Sequence, residues 1–108
     1  MIAKTPKPPY YAVIFTSIKF DGDNTYDAMS EKMVTLAKEQ EGFLGVESVR
    51  NDVGITVSYW ESLEAIAKWK INLDHTEARN KGREIWYRQF KVRICKVERD
   101  YSFEKELL

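Results

Sequence analysis

The chain is poor in the residues that make staples, metal clusters and membrane spans. Of its 108 residues one is cysteine and one is histidine. A single thiol, Cys95, closes no intrachain disulfide, and one His with one Cys offers no ligand set for a metal. Neither charge sign dominates: 17 Lys and Arg stand against 17 Asp and Glu. Such a chain lacks the general attraction to phosphate backbones, so nucleic acid is not an expected partner. No apolar run approaches the length of a membrane span. The opening MIAKTPKPPYY has no apolar core of signal-peptide type, which points to a cytoplasmic protein.

What is present describes an ordinary globular domain. Hydrophobic residues make up 44% and charged residues 31% of the chain. One domain fits this length, with a thin core, since folding at this size hides roughly 60–68% of the unfolded surface. Residues 1–10, with KTPKPP, read as an extended lead-in, residues 11–103 as the domain, and residues 104–108 as a tail.

Apolar periodicity predicts six elements. YYAVIFTSIKF is β-branched and aromatic and reads as a strand. Asn24 is placed to cap a helix in which Tyr26, Met29, Met33, Leu36 and Ala37 recur at helical spacing, ending near Gln40 with Gly42 as its terminal glycine. FLGVESVR and ITVSYW flank the turn NDVG and form a hairpin. Ser62 caps a second helix whose inward stripe reads Leu63, Ile66 and Ala67. The pattern D-x-x-E at Asp74–Glu77 predicts a bend or break near Leu73, a fresh start at His75 and an end near Gly82 or a little later. WYRQFKVRICKVE supplies a fourth strand with Phe90, Val92 and Ile94 on one face and Lys91 and Arg93 on the other, and Cys95 is expected as a small buried hydrophobe.

The order β-α-β-β-α-β predicts an α+β, ferredoxin-like fold, a four-stranded antiparallel sheet with both helices on one face. The other face is then bare. Yet the first and last strands carry apolar residues in both parities, Ile14 and Val13, Ile94 and Val97. Strands buried on both faces lose their alternation. The chain has no spare element to cover that face, so a homodimer through the sheet is expected.

GFLGVESV after the first helix, GITVSYWES at the third strand, Trp69 followed six positions on by His75, and the YYAVIF of the first strand resemble the antibiotic biosynthesis monooxygenase domain, nearest to its uncharacterised bacterial group. The resemblance covers roughly residues 11–103. It implies a ferredoxin-like fold paired into a dimeric α/β barrel. Members of this superfamily that degrade haem carry a ligating His ten positions after the helical Trp and an Asn in the first strand. Here those places hold Arg79 and Ser17 or Thr16. An arginine stays protonated and offers iron no lone pair. Haem degradation is therefore disfavoured and no cofactor is expected.

Other members, by the same resemblance, use dioxygen alone to oxidise electron-rich phenols such as anthrones. A small apolar or aromatic ligand is the partner this implies. His75, whose ordinary pKa lies near neutrality, is the candidate proton acceptor. Arg79 is the candidate stabiliser of an enolate or phenolate. Trp69, Trp60, Phe43 and Trp86 are candidate aromatic walls, and Ser17 and Tyr59 candidate orienting groups for a substrate oxygen. Each has a plainer reading: His75 as a solvent-facing helix residue, Arg79 as a surface ion-pair partner, the tryptophans and Tyr59 as packing, Ser17 as a strand hydroxyl. A non-catalytic small-ligand-binding or stress-related module on the same dimer is the alternative function.

Overall fold

Antiparallel pairing of four β-branched and aromatic segments organises the chain. The structure, a computed structural model, describes residues 1–20, 25–75 and 86–106. Within them run β1 (Tyr10–Lys19), α1 (Thr25–Lys38), β2 (Phe43–Arg50), β3 (Gly54–Trp60), α2 (Leu63–His75) and β4 (Tyr87–Val97). The sheet order is β2-β3-β1-β4, with every neighbouring pair antiparallel. This is the ferredoxin-like arrangement expected from the element order. No helix among the described residues is long and apolar enough to cross a membrane.

The punctuation of the chain is local chemistry. Gly42 follows α1 with φ +86°, and a Cβ there would sit 2.6 Å from the Ala65 Cβ. Only glycine allows both that conformation and that approach of α2. The Gly42 carbonyl accepts from the Glu61 N–H at 2.8 Å, which ties the start of β2 to the end of β3. Ser62 caps α2 as expected, its Oγ accepting from the Ala65 N–H at 3.1 Å.

Three details of the second helix and the last strand differ from the sequence reading. The inward stripe of α2 is Ala65, Ile66, Trp69 and Leu73, while Leu63 and Ala67 are exposed. Trp69 sets this rotation by stacking on Trp60, with ring centroids 6.0 Å apart. The helix also runs unbroken through Leu73 to His75, because Ile66, Trp69 and Leu73 stay on one face at helical spacing. The expected restart after it and the end near Gly82, like the Asn24 cap of α1, lie outside the described residues. Cys95 is half-buried rather than buried, since it sits on an edge strand whose outer face is only partly covered.

Strand parity divides the sheet into two faces. Tyr11, Val13, Phe15, Thr56, Ser58, Trp60, Val92 and Ile94 face the helices, and Ala12, Ile14, Val57, Tyr59 and Cys95 face away. Each edge strand has an irregularity in its register near its first residue. The shift between Phe43 and Gly45 brings Phe43 and Val46, of opposite parity, to the same side. The shift opposite Ile18 and Lys19 does so for Tyr87 and Phe90.

The face away from the helices is covered in part by the chain's own ends. The Ala3 N–H donates to Glu47 Oε2 at 2.8 Å. Thr5 Oγ1 donates to Tyr10 Oη at 3.0 Å, and that phenol donates to Asp100. Beyond this clasp the face is open, with Val49 69% and Ile55 39% exposed toward the β2–β3 end and the exposed Lys91 and Arg93 on β4. Tyr101 and Phe103 extend past it, 99% and 88% exposed.

Candidate functional site

The hydrophobic core comes in two pieces. Trp60, Ala37, Ala65 and Ile66 form one cluster, flanked by Tyr11, Val13, Phe43 and Trp69. Trp86, with Met33 and Tyr87, forms the other. Between helices and sheet, bordered by both clusters, lies a cavity of about 550 Å³. Its floor is Val13 and Phe15 from β1, Val46 from β2, Thr56 and Ser58 from β3, and Phe90, Val92 and Ile94 from β4. Its roof is Ser30, Met33, Val34 and Ala37 from α1 and Ile66, Trp69, Lys70 and Leu73 from α2. Phe43, Trp86 and Tyr87 complete the wall. The exposed part of Phe90, Val92 and Ile94 places its open side toward β4.

Aromatic contacts shape both ends. Phe15 stacks on Phe90 at 5.4 Å and meets Tyr87 edge-on at 5.4 Å. Phe43 meets Trp60 edge-on at 5.5 Å. Such a volume, apolar walls and few polar groups are what small-molecule sites have in common. The floor contributes two hydroxyls, Ser58 and Thr56. Trp60 Nε1–H donates to Ser58 Oγ at 2.8 Å. Thr56 Oγ1 and Ser48 Oγ share a hydrogen bond of 2.9 Å. Lys70 is the one charged side chain among the described lining residues.

The sequence-derived candidates fall in different places. Phe43, Trp69 and Trp86 line the cavity. Trp60 does not, being 0% exposed and enclosed by Phe43 and Trp69. Ser17 does not either. It is 1% exposed, and its Oγ accepts from the Arg50 guanidinium at 2.5 Å, which lies folded over Gly54 in the space a side chain would take. Tyr59 turns to the opposite face, donating to Glu47 Oε1 at 2.6 Å and meeting Tyr10 edge-on at 5.9 Å. Burial, then the Glu47 carboxylate, pushes its pKa up to about 12. His75 closes α2 two residues after Leu73, with its side chain outside the described residues, where Arg79 also lies.

Sequence reasoning passed over Ser58, Thr56, Lys70, Tyr87 and Phe90. Ser58 and Thr56 were accessible from parity, since Trp60 as core places both on the helix side. Tyr87 was hidden by the irregularity at the start of β4.

No family model matches the sequence. The chain is 51% identical over 106 residues to the uncharacterised protein YqjZ of Bacillus subtilis, across 96% of this chain and 93% of that protein. Among solved structures it resembles PA3566 from Pseudomonas aeruginosa at 14% identity and a TM-score of 0.67, covering 89% of this chain and 99% of that one. It resembles SnoaB, a cofactor-independent oxygenase from Streptomyces nogalater, at 9% identity and a TM-score of 0.65, covering 93% and 98% of the two chains. A Nitrosomonas europaea protein provisionally assigned as an antibiotic biosynthesis monooxygenase matches at 12% identity and a TM-score of 0.63, over 87% and 94%. At these identities the solved structures share the fold with this chain.

Proposed function

This chain belongs to the family of Bacillus subtilis YqjZ and has the fold of the antibiotic biosynthesis monooxygenases, and from that premise we propose that it is a cofactor-independent monooxygenase acting on a small aromatic or polyketide-like substrate. The observation that supports this most is the divided core. A domain of 108 residues leaves about 550 Å³ open between helices and sheet and lines it with flat rings. Apolar packing alone favours closing such a space.

The chemistry asks little of the protein beyond what such a pocket provides. A phenol or anthrone that loses a proton becomes an electron-rich anion. That anion gives one electron to dioxygen, the resulting radical pair combines at carbon, and the peroxide anion takes the proton back to form a hydroperoxide. Loss of water leaves a carbonyl, so one dioxygen yields one quinone oxygen and one water. Rings on the walls hold the substrate flat and keep bulk water out. His75 takes the proton and Arg79 stabilises the anion in this scheme. The last described turn of α2, with Leu73 on the cavity, leads directly into that segment. The assembly in this reading is a homodimer through the open sheet face, with Val49 and Ile55 meeting a second copy.

Oxygen uptake with a panel of anthrones and reduced phenols tests the activity. One quinone per dioxygen is expected, and at least a tenfold loss in His75→Ala and in Arg79→Ala, in line with the usual worth of acid–base catalysis. Uptake that matches the parent in both variants removes those roles. No uptake with any substrate, while an apolar dye still enters the cavity, establishes the alternative of a binding module. One observation favours that alternative: the described lining offers hydroxyls and an amine but no carboxylate.

A further inference from the structure

The end of β3 contains a relay that leads into the cavity. Trp60 is fully enclosed, so its indole N–H needs an acceptor inside the protein. It finds one two residues back on the same strand face, Ser58 Oγ at 2.8 Å. Ser58 is also part of the cavity floor. A serine hydroxyl carries one hydrogen and two lone pairs. The indole occupies a lone pair, and the hydroxyl hydrogen has no acceptor among the described residues. Thr56, the next floor residue on β3, has no such fixed role, because either it or Ser48 can be the donor of the bond they share.

We propose that Ser58 is the specificity-determining hydrogen-bond donor of this cavity, oriented by Trp60 with its O–H left to donate, and that the ligand it selects is a flat aromatic compound carrying an acceptor oxygen, a ketone, ether or phenolate. The inference rests on the cavity being the substrate pocket and adds the substrate's polar requirement. A hydroxyl that accepts a hydrogen bond becomes a stronger donor. Its bond strengthens further as negative charge gathers on the oxygen it holds. Trp60 touches no ligand and is a positioning residue, acting through Ser58.

Two probes of nearly equal shape separate the oxygen from the ring: 2-acetylnaphthalene, which offers a carbonyl acceptor, and 2-isopropylnaphthalene, which offers none. Equilibrium dialysis gives the ratio of their affinities. Ser58→Ala is expected to weaken binding of the ketone by about fivefold, the usual worth of one hydrogen bond, and to leave the hydrocarbon unchanged. Ser58→Thr keeps the hydroxyl and restores the ratio. Trp60→Phe removes the indole N–H and lowers the ratio by a smaller factor, about twofold. A fall in overall stability, which Ser58→Ala causes by stranding the Trp60 N–H, weakens both probes together and leaves the ratio alone. If both probes bind and Ser58→Ala keeps the parent's ratio, the role of Ser58 is refuted while the pocket stands. If neither probe binds, the pocket reading falls and this one with it.

Discussion

Ser58, Tyr59 and Trp60 are consecutive on one strand, yet they serve two faces of the sheet that are incomplete in opposite ways. On the helix-covered face Trp60 anchors the core and Ser58 meets the cavity, so this side is unfinished inward. On the other face Tyr59 joins Glu47, and beside them Tyr10 holds Asp100 and Thr5, a clasp for both chain ends. The rest of that face, with Val49 and Ile55, is unfinished outward. A strand alternates its side chains whatever their task, so neighbours in sequence acquire unrelated duties. The two proposed partners, a small molecule and a second copy of the chain, correspond to a hollow between helices and sheet and an open surface on the other side.

Truncating neighbouring residues on β3 separates the two faces most strongly. Trp60→Ala removes a fully enclosed indole, its contacts with Phe43 and Trp69 and its bond to Ser58. A loss of about 3–5 kcal/mol is expected in chemical denaturation. Tyr59→Phe keeps the ring and deletes only the O–H that reaches Glu47. Its expected cost is about 1 kcal/mol. Equal losses for the two would show that the core does not lie on the Trp60 side.

A smaller effect separates the partners. Val57 and Thr56 are adjacent, Val57 beside Ile14 on the open face and Thr56 on the cavity floor. Val57→Asp sets a charge within the proposed dimer interface. Association, followed by sedimentation, should weaken by about a hundredfold or more, because a carboxylate buried without a partner costs several kcal/mol. Thr56→Asp should leave association as it is and lower the affinity for 2-acetylnaphthalene. Dimers that persist in Val57→Asp would place the interface elsewhere.

Much of the fold was legible because alternation and helical spacing are simple periods. The limits of β2, 43–50, and the caps at Gly42 and Ser62 follow directly from the residues there. The site was harder to read for the same reason. Periodicity says that Ser17 and Ser58 both face the helices, but not that Arg50 occupies the first while the cavity meets the second. That difference depends on a guanidinium reaching from β2 over Gly54, a contact between residues 33 apart. Tyr87 and Phe90 defeat a two-residue period outright, since an irregularity in the strand brings both onto the cavity. The rotation of α2 was set by a stack between two tryptophans, which no count along one helix contains. Alternation carried the topology, and the candidate site depended on side chains meeting across strands.

The smallest effect concerns acid and base, and it again separates the faces. The Glu47 carboxylate is held below its ordinary pKa, first by the Tyr59 hydroxyl and then by the Ala3 N–H. A carboxyl whose folded pKa is depressed contributes stability above its unfolded value and loses it as pH falls through the folded one. Tyr59 is the reverse case. Its folded pKa is pushed from 10.0 to about 12, so its contribution is intact below 10.0 and is lost as pH rises through about 12. The amino-terminal segment should therefore be held from weakly acidic to moderately alkaline pH and loosen at both extremes. Amide exchange at Ala3 reads this directly. Glu47 lies partly in water, so the expected change is about 1 kcal/mol or less. Glu47→Gln should abolish the acid limb and leave the alkaline one in place, shifted. Across the acid limb the bonds on the cavity floor, made by hydroxyls and an indole, carry no ionisable proton to lose or gain. The preference for 2-acetylnaphthalene over 2-isopropylnaphthalene should then stay constant while Ala3 is released. A preference that followed the release would mean that the clasp on one face governs the pocket on the other.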